Sequence, residues 1–132
     1  MLEFMLDTNI CIYAMKGRPP ELVGQFKAHT DRICISAIVF AELRFGVEKS
    51  TRRQQSLEAL DAFVAMLDVL PFDERAAAHY GELRAALERA GTPCGQADMQ
   101  IGAHARSLGM RLVTNNRREF DRMPGVLVEN WV

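Results

Sequence analysis

Short, wholly apolar runs alternate along this chain with longer segments whose apolar residues recur every three or four positions. Residues 2–6 (LEFML) have the pattern of a strand buried on both faces. Asp7-Thr8-Asn9 breaks that run, and residues 10–15 (ICIYAM) predict a first helix. A turn at Gly17-Arg18-Pro19-Pro20 precedes a second helix over 21–29, with Pro20 suited to its first position. Residues 33–35 predict a second strand. Ser36 then caps a helix, AIVFAELRFGVEK, that is apolar at Ile38, Val39, Leu43 and Val47. After a polar stretch at 48–54, residues 55–67 again carry helical spacing. Residues 68–72 (DVLPF) read as a short edge strand, because Pro71 has no N–H to give a neighbour. Asp73 caps a long helix over 74–90, stopped by Gly91. A loop at 92–95 and a helix over 97–108, ending at Gly109, lead to the strand 111–114 (RLVT). A turn at Asn115-Asn116, a short helix over 117–123 and a last strand over 126–131 complete the chain.

Strands separated by helices predict an α/β domain with a parallel sheet covered on both faces and right-handed crossovers. No repeat, low-complexity tract or linker divides the chain, so residues 1–132 read as one domain. Hydrophobic residues make up 48% and charged ones 25%, which is ordinary for a globular protein and excludes a disordered or fibrous class. No apolar run approaches the ~18 residues of a membrane span. The opening segment lacks a basic n-region and carries Glu3 and Asp7, so it reads as a buried strand and not as a signal peptide; a cytoplasmic location without membrane association is expected. Cys11, Cys34 and Cys94 are an odd number without a CxxC pair, which suits core residues in a reducing compartment. His29, His79 and His104 form no zinc spacing with them. A serine–histidine pair of Ser36 and His104 has no support in spacing, and no GxSxG, P-loop or GxGxxG is present.

The candidate chemistry lies in three acids, Asp7, Glu42 and Asp98, each near a strand-to-helix junction or a helix start. In an open α/β sheet those positions gather at the carboxyl edge of the strands, where ligands bind. Each acid has an ordinary explanation: Asp7 as an Asx-turn or helix cap, Glu42 as a solvated helical side chain, Asp98 as an acid favoured by the helix dipole. Against this, Asp7 ends an apolar strand and Glu42 interrupts an apolar stretch. Gathered together, carboxylates repel, and a divalent ion with oxygen ligands, Mg²⁺ or Mn²⁺, relieves that repulsion. Such an ion most often acts on a phosphate ester, by acidifying water and offsetting phosphate charge. Asn116 follows a strand on the same edge; Thr8, Asn9, Thr114 and Glu119 are accessory candidates. The net charge of −1 does not mark a nucleic-acid binder. Two local runs do lean that way, residues 44–53 and 106–122, each at net +3, and Arg44, Lys49, Arg117 and Arg118 are candidate phosphate contacts.

These segments carry a resemblance. LDTN at 6–9, SAIVFAELRFG at 36–46, GQADMQIGAHARSLG at 95–109, LVTNN and REF within 112–120, and the closing ENW resemble the PIN domain, with the likeness nearest to VapC-type toxins of bacterial VapBC toxin–antitoxin pairs. The resemblance implies a three-layer α/β/α sandwich with a central, mainly parallel sheet and an Mg²⁺- or Mn²⁺-dependent endoribonuclease. Carried over by motif, the metal-binding catalytic acids are Asp7, Glu42 and Asp98. The family often has a fourth acid where this chain has Asn116, which leaves open whether Glu119 substitutes. The implied partners are a structured RNA, with transfer RNA the commonest class and the initiator anticodon loop a lead, a VapB-type antitoxin that blocks the groove and carries the contact to promoter DNA, and a second copy in a homodimer. A phosphatase of the haloacid dehalogenase type also opens with a strand ending in Asp, but it requires a second Asp at the position held here by Asn9. A nuclease fold kept only for partner binding sits poorly with three retained acids. Apolar helix surfaces at Ile10-Ile12-Tyr13 and Phe40-Leu43-Phe45 are candidate docking faces.

Overall fold

The structure is a computed structural model that describes residues 1–132. Five short strands form one sheet: β1 (Phe4–Leu6), β2 (Ile33–Ser36), β3 (Asp68–Leu70), β4 (Arg111–Val113) and β5 (Leu127–Glu129). Every neighbouring pair is parallel, in the order β3-β2-β1-β4-β5. The central strands β1 and β2 are buried along their whole length, which is why they read as unbroken apolar runs.

Seven helices connect them: α1 (Thr8–Lys16), α2 (Pro20–Ala28), α3 (Ala37–Glu48), α4 (Arg53–Val64), α5 (Glu74–Ala90), α6 (Gln96–Leu108) and α7 (Arg117–Phe120). From β1 to β3 the chain marches to one edge; it then returns past β1 to build β4 and β5 on the other side. Right-handed crossovers put α1–α4 on one face and α5–α7 on the opposite face. The contacts agree, since α1 meets α2, α3 and α4, whereas α5 and α7 pack on α6. This is the expected three-layer α/β/α sandwich. The reversal of direction between β1 and β4 opens a crevice at the carboxyl ends of those two strands.

The core runs through both interfaces of the sheet and includes Met5, Leu6, Ile35, Leu83, Ile101, Leu112 and Phe120, each fully buried. Burial of each such side chain contributes about 1.5–3 kcal/mol before entropy is charged against it. Gly91 and Gly109 end α5 and α6 in the left-handed region, at φ 70° and 66°, where a side chain would be strained.

The strands are shorter than the apolar runs. β3 stops at Leu70 because Pro71 has no N–H to continue the ladder, and β5 spans Leu127–Glu129, within the apolar run 126–131. α1 begins at Thr8, with no loop between it and β1, because Asp7 itself caps the helix. Of the proposed docking faces, Ile10 and Leu43 belong to the core, whereas Phe45 is 64% exposed. No helix is long and apolar enough to cross a membrane.

Candidate functional site

Asp7 is placed by the sheet. Its N–H continues the β1–β4 pairing by donating to Val113 C=O at 3.0 Å. Its carboxylate is 5% exposed and accepts from the Ile10 N–H at 3.0 Å and from the Thr114 hydroxyl. The cap and the site are therefore one residue: the same side chain starts α1 and faces the crevice. Burial pushes the Asp7 carboxyl above its usual range; the Thr114 and Ile10 hydrogen bonds pull the other way, and Glu42 adds repulsion.

Glu42 reaches the crevice from α3, on the other side of Asp7. The Thr8 hydroxyl donates to its Oε1, which ties α3 to the start of α1. Asp98 comes from the first turn of α6. Its carboxyl is pushed up to about 7, first by burial, then by Glu119, with Glu42 and Asp7 adding charge repulsion. Asp98 and Glu119 stand close enough to share a proton, and that contact holds the Glu119 carboxyl below its usual range. Glu119 also accepts from the Gly95 N–H at 2.6 Å and from the Asn116 side-chain amide at 3.1 Å.

Asp7, Thr8, Asn9, Glu42, Asp98 and Asn116 line one cavity of about 190 Å³ with no apolar residue in its wall. Three acids that are 35 and 56 positions apart in sequence thus meet on one wall of the crevice. As placed, no three His, Cys, Asp or Glu side chains stand close enough to share one ion. The carboxylates form an open wall, two of them held by threonine hydroxyls and the third by Glu119.

The whole chain matches known proteins in the same way. Residues 4–126 fit the model of the PIN domain. The chain belongs to the PIN-domain family. It is 47% identical over 131 residues to the tRNA(fMet)-specific endonuclease VapC of Salmonella typhimurium, with 99% of each chain covered. It is 42% identical to Ribonuclease VapC2 of Haemophilus influenzae over the full length of both. Among solved structures, the crystal structure of DNA-bound VapBC from Salmonella typhimurium superposes with a TM-score of 0.96 at 46% identity, each chain covered in full. The likeness is to the VapC branch of the PIN family.

Around the PIN-domain carboxylates the cations divide into held and free. Arg44 and Arg53 both bind Glu48, at 2.7 and 2.9 Å, and keep its carboxyl down to about 2, Arg53 contributing most. Arg117 pairs with Asp121 at 3.3 Å. Of the predicted phosphate contacts, Arg44 and Arg117 are therefore already engaged. Arg118 lines a second cavity of about 200 Å³ with Asn116, Glu119 and Arg122, directly beside the acids. Sequence reasoning passed over Arg122, whose signal was its place one turn after Arg118 on the rim of the site. It also passed over Lys16, which lines an apolar groove of about 490 Å³ with Ile12, Met15, Leu43 and Glu42.

The donor chemistry fits a hard divalent cation. Carboxylate, hydroxyl and amide oxygens surround the cavity, with no sulfur and no imidazole. Burial first, and repulsion from neighbouring acids after it, raise the Asp98 and Asp7 carboxyls, and such an ion offsets both. Ser36 and His104, unsupported by spacing, do meet: Ser36 Oγ and His104 Nδ1 are 2.8 Å apart. They are 0% and 2% exposed, so no substrate reaches them, and the pair serves to join β2 to α6.

Proposed function

We propose that this chain is the toxin of a type II toxin–antitoxin pair of the VapBC kind, a metal-dependent endoribonuclease that hydrolyses one phosphodiester of a structured RNA, with initiator transfer RNA the leading substrate. The observation that carries this reading is the meeting of Asp7, Glu42 and Asp98 on a single open, wholly polar cavity at the β1/β4 switch point. The RNA class rests on relatives that match the full chain and are named for ribonuclease or tRNA(fMet) endonuclease activity.

Asp7, Glu42 and Asp98 would draw together to hold the Mg²⁺ or Mn²⁺ ion, since as placed no three acids share one. When bound, such an ion offsets phosphate charge and makes water easier to deprotonate. Thr114 and the Ile10 amide fix the orientation of Asp7, and Thr8 fixes that of Glu42. Asn116 directs its amide hydrogens at Glu119, which keeps the Glu119 carboxylate beside Asp98. Arg118 and Arg122 bind the flanking phosphates. Attack by water on the phosphorus releases the 3′-hydroxyl of one nucleotide and leaves a 5′-phosphate on the next, with no part for the 2′-hydroxyl. An antitoxin of the VapB kind controls the enzyme and carries the contact with promoter DNA; the apolar groove that adjoins Glu42 supports a docking segment there.

The test is cleavage of initiator transfer RNA by the purified chain. Cutting is expected with Mg²⁺ or Mn²⁺ and not with EDTA. Cleavage that survives chelation removes the metal from the account; intact RNA in the presence of both ions removes the nuclease.

A further inference from the structure

Among the large apolar side chains that remain exposed, Phe45 is the one aromatic, at 64% exposure. It sits on α3 three residues after Glu42, and Lys49 follows four residues later. Positions 42, 45 and 49 lie on one helical stripe, so the ring occupies the next step along the face that carries Glu42 into the cavity. The Lys49 ammonium lies 5.0 Å from the ring centroid. The neighbouring cations Arg44 and Arg53 are both held by Glu48.

An exposed ring beside a lysine ammonium, one turn or about 5 Å from a phosphate-cutting site, has the elements by which proteins hold unpaired nucleotides: an aromatic face for a base and a positive charge for its backbone. Stacked nucleotides advance about 3.4 Å per strand, so a base one or two positions from the scissile phosphate spans that distance. A second copy of this chain is the competing occupant of an exposed aromatic. Lysine is depleted in the cores of protein interfaces, and here an ammonium lies over the ring with a carboxylate on the same stripe. The charged setting favours nucleic acid. Resting on the ribonuclease reading above, we infer that Phe45 is a stacking platform for one unpaired nucleobase flanking the cleaved phosphodiester, with Lys49 taking the attached phosphate.

The probe is the anticodon stem-loop of initiator transfer RNA with 2-aminopurine placed in turn at each loop position, bound to the full chain carrying Asp98→Asn so that it stays uncut. One loop position is expected to be quenched on binding. In that background Phe45→Ala and Phe45→Leu raise Kd about tenfold and abolish that quenching, whereas Phe45→Tyr keeps both. Phe45 is on the surface, so unchanged melting of the variants shows them folded. A Phe45→Leu protein that binds and quenches as the parent does overturns the assignment. So does a Phe45→Leu protein whose sedimentation shows a dimer converted to monomer, since the ring then belongs to the contact between copies. Failure of the ribonuclease reading shows separately: the chain with Asp98 intact leaves both the stem-loop and the full transfer RNA uncut with Mg²⁺, and the stacking platform falls with it.

Discussion

Two polar pairs join distant parts of this chain at the carboxyl ends of adjacent strands, and they differ in one respect. Asp7 with Thr114 ties β1 to the end of β4, and Ser36 with His104 ties β2 to α6. Both are buried. Asp7 faces a polar cavity shared with Glu42 and Asp98; Ser36 and His104 face only packed side chains. On paper the second pair is the more reactive, a hydroxyl beside an imidazole. It is sealed from substrate, while the first sits where charge has been gathered at some cost to the fold. Access and accumulated charge mark the candidate site here, and proximity of a nucleophile to a base does not.

One substitution in the polar cavity that Asp7 faces and one in the sealed pair give the sharpest test. Asp98→Asn should lower cleavage by more than about 100-fold, the scale of losing one charge-stabilising group, and should hold or raise the melting temperature, because it removes a carboxyl disfavoured first by burial and then by neighbouring acids. Assay of cleavage and thermal melting on one preparation checks both halves; unfolding of the variant would make Asp98 a structural residue. His104→Ala should do the reverse. It should cost about 2–4 kcal/mol by opening a hole and stripping Ser36 of its partner, and leave cleavage per folded molecule nearly unchanged. Denaturant melts paired with initial rates well below the transition decide this; a large loss of rate in folded protein would bring His104 into the chemistry.

Smaller effects separate the two regions by pH. Asp98 is pushed up from 3.8 to about 7, so between those values the folded chain keeps a proton that the unfolded chain releases. Its contribution is full below pH 3.8 and is lost as pH rises through about 7. Burial pushes His104 down from 6.5, so there the unfolded chain takes up the proton first. That contribution is full above pH 6.5 and fades as pH falls below it. Melting curves in EDTA should therefore show Asp98→Asn flattening the decline toward neutral pH and His104→Ala flattening the decline on the acid side. Variants that leave both slopes unaltered would refute this division.

The smallest expected effect concerns the cations. Arg118→Gln should reduce the salt dependence of RNA binding by about one phosphate contact. Arg44→Gln, already bound to Glu48, should change it less. Equal slopes for the two variants, measured by titration at several salt concentrations, would erase the distinction between held and free arginines.

Much of the architecture is readable from the sequence because burial on both faces leaves β1 and β2 with uninterrupted apolar runs, and because Asp73, Gly91, Ser36 and Gly109 punctuate helices as their chemistry dictates. The three acids were legible because each breaks an apolar context or opens a helix. The link between Glu119 and Asp98 was open from sequence alone, since it depends on how α7 folds back over the start of α6. Ser36 and His104, 68 positions apart, carry no mark of their contact. The pairing of Arg53 with Glu48 spans five residues across the break between α3 and α4, outside the spacing that a single helix makes visible.

The strand order has a consequence for synthesis. Asp7 and Glu42 belong to the half of the chain that builds β1 to β3, whereas Asp98 and Thr114 arrive with the half that comes back to lay β4 against β1. A nascent or truncated polypeptide ending before residue 114 lacks the strand that seats Asp7, however well its first half has folded. The carboxylate wall is therefore complete only once β4 has been laid beside β1.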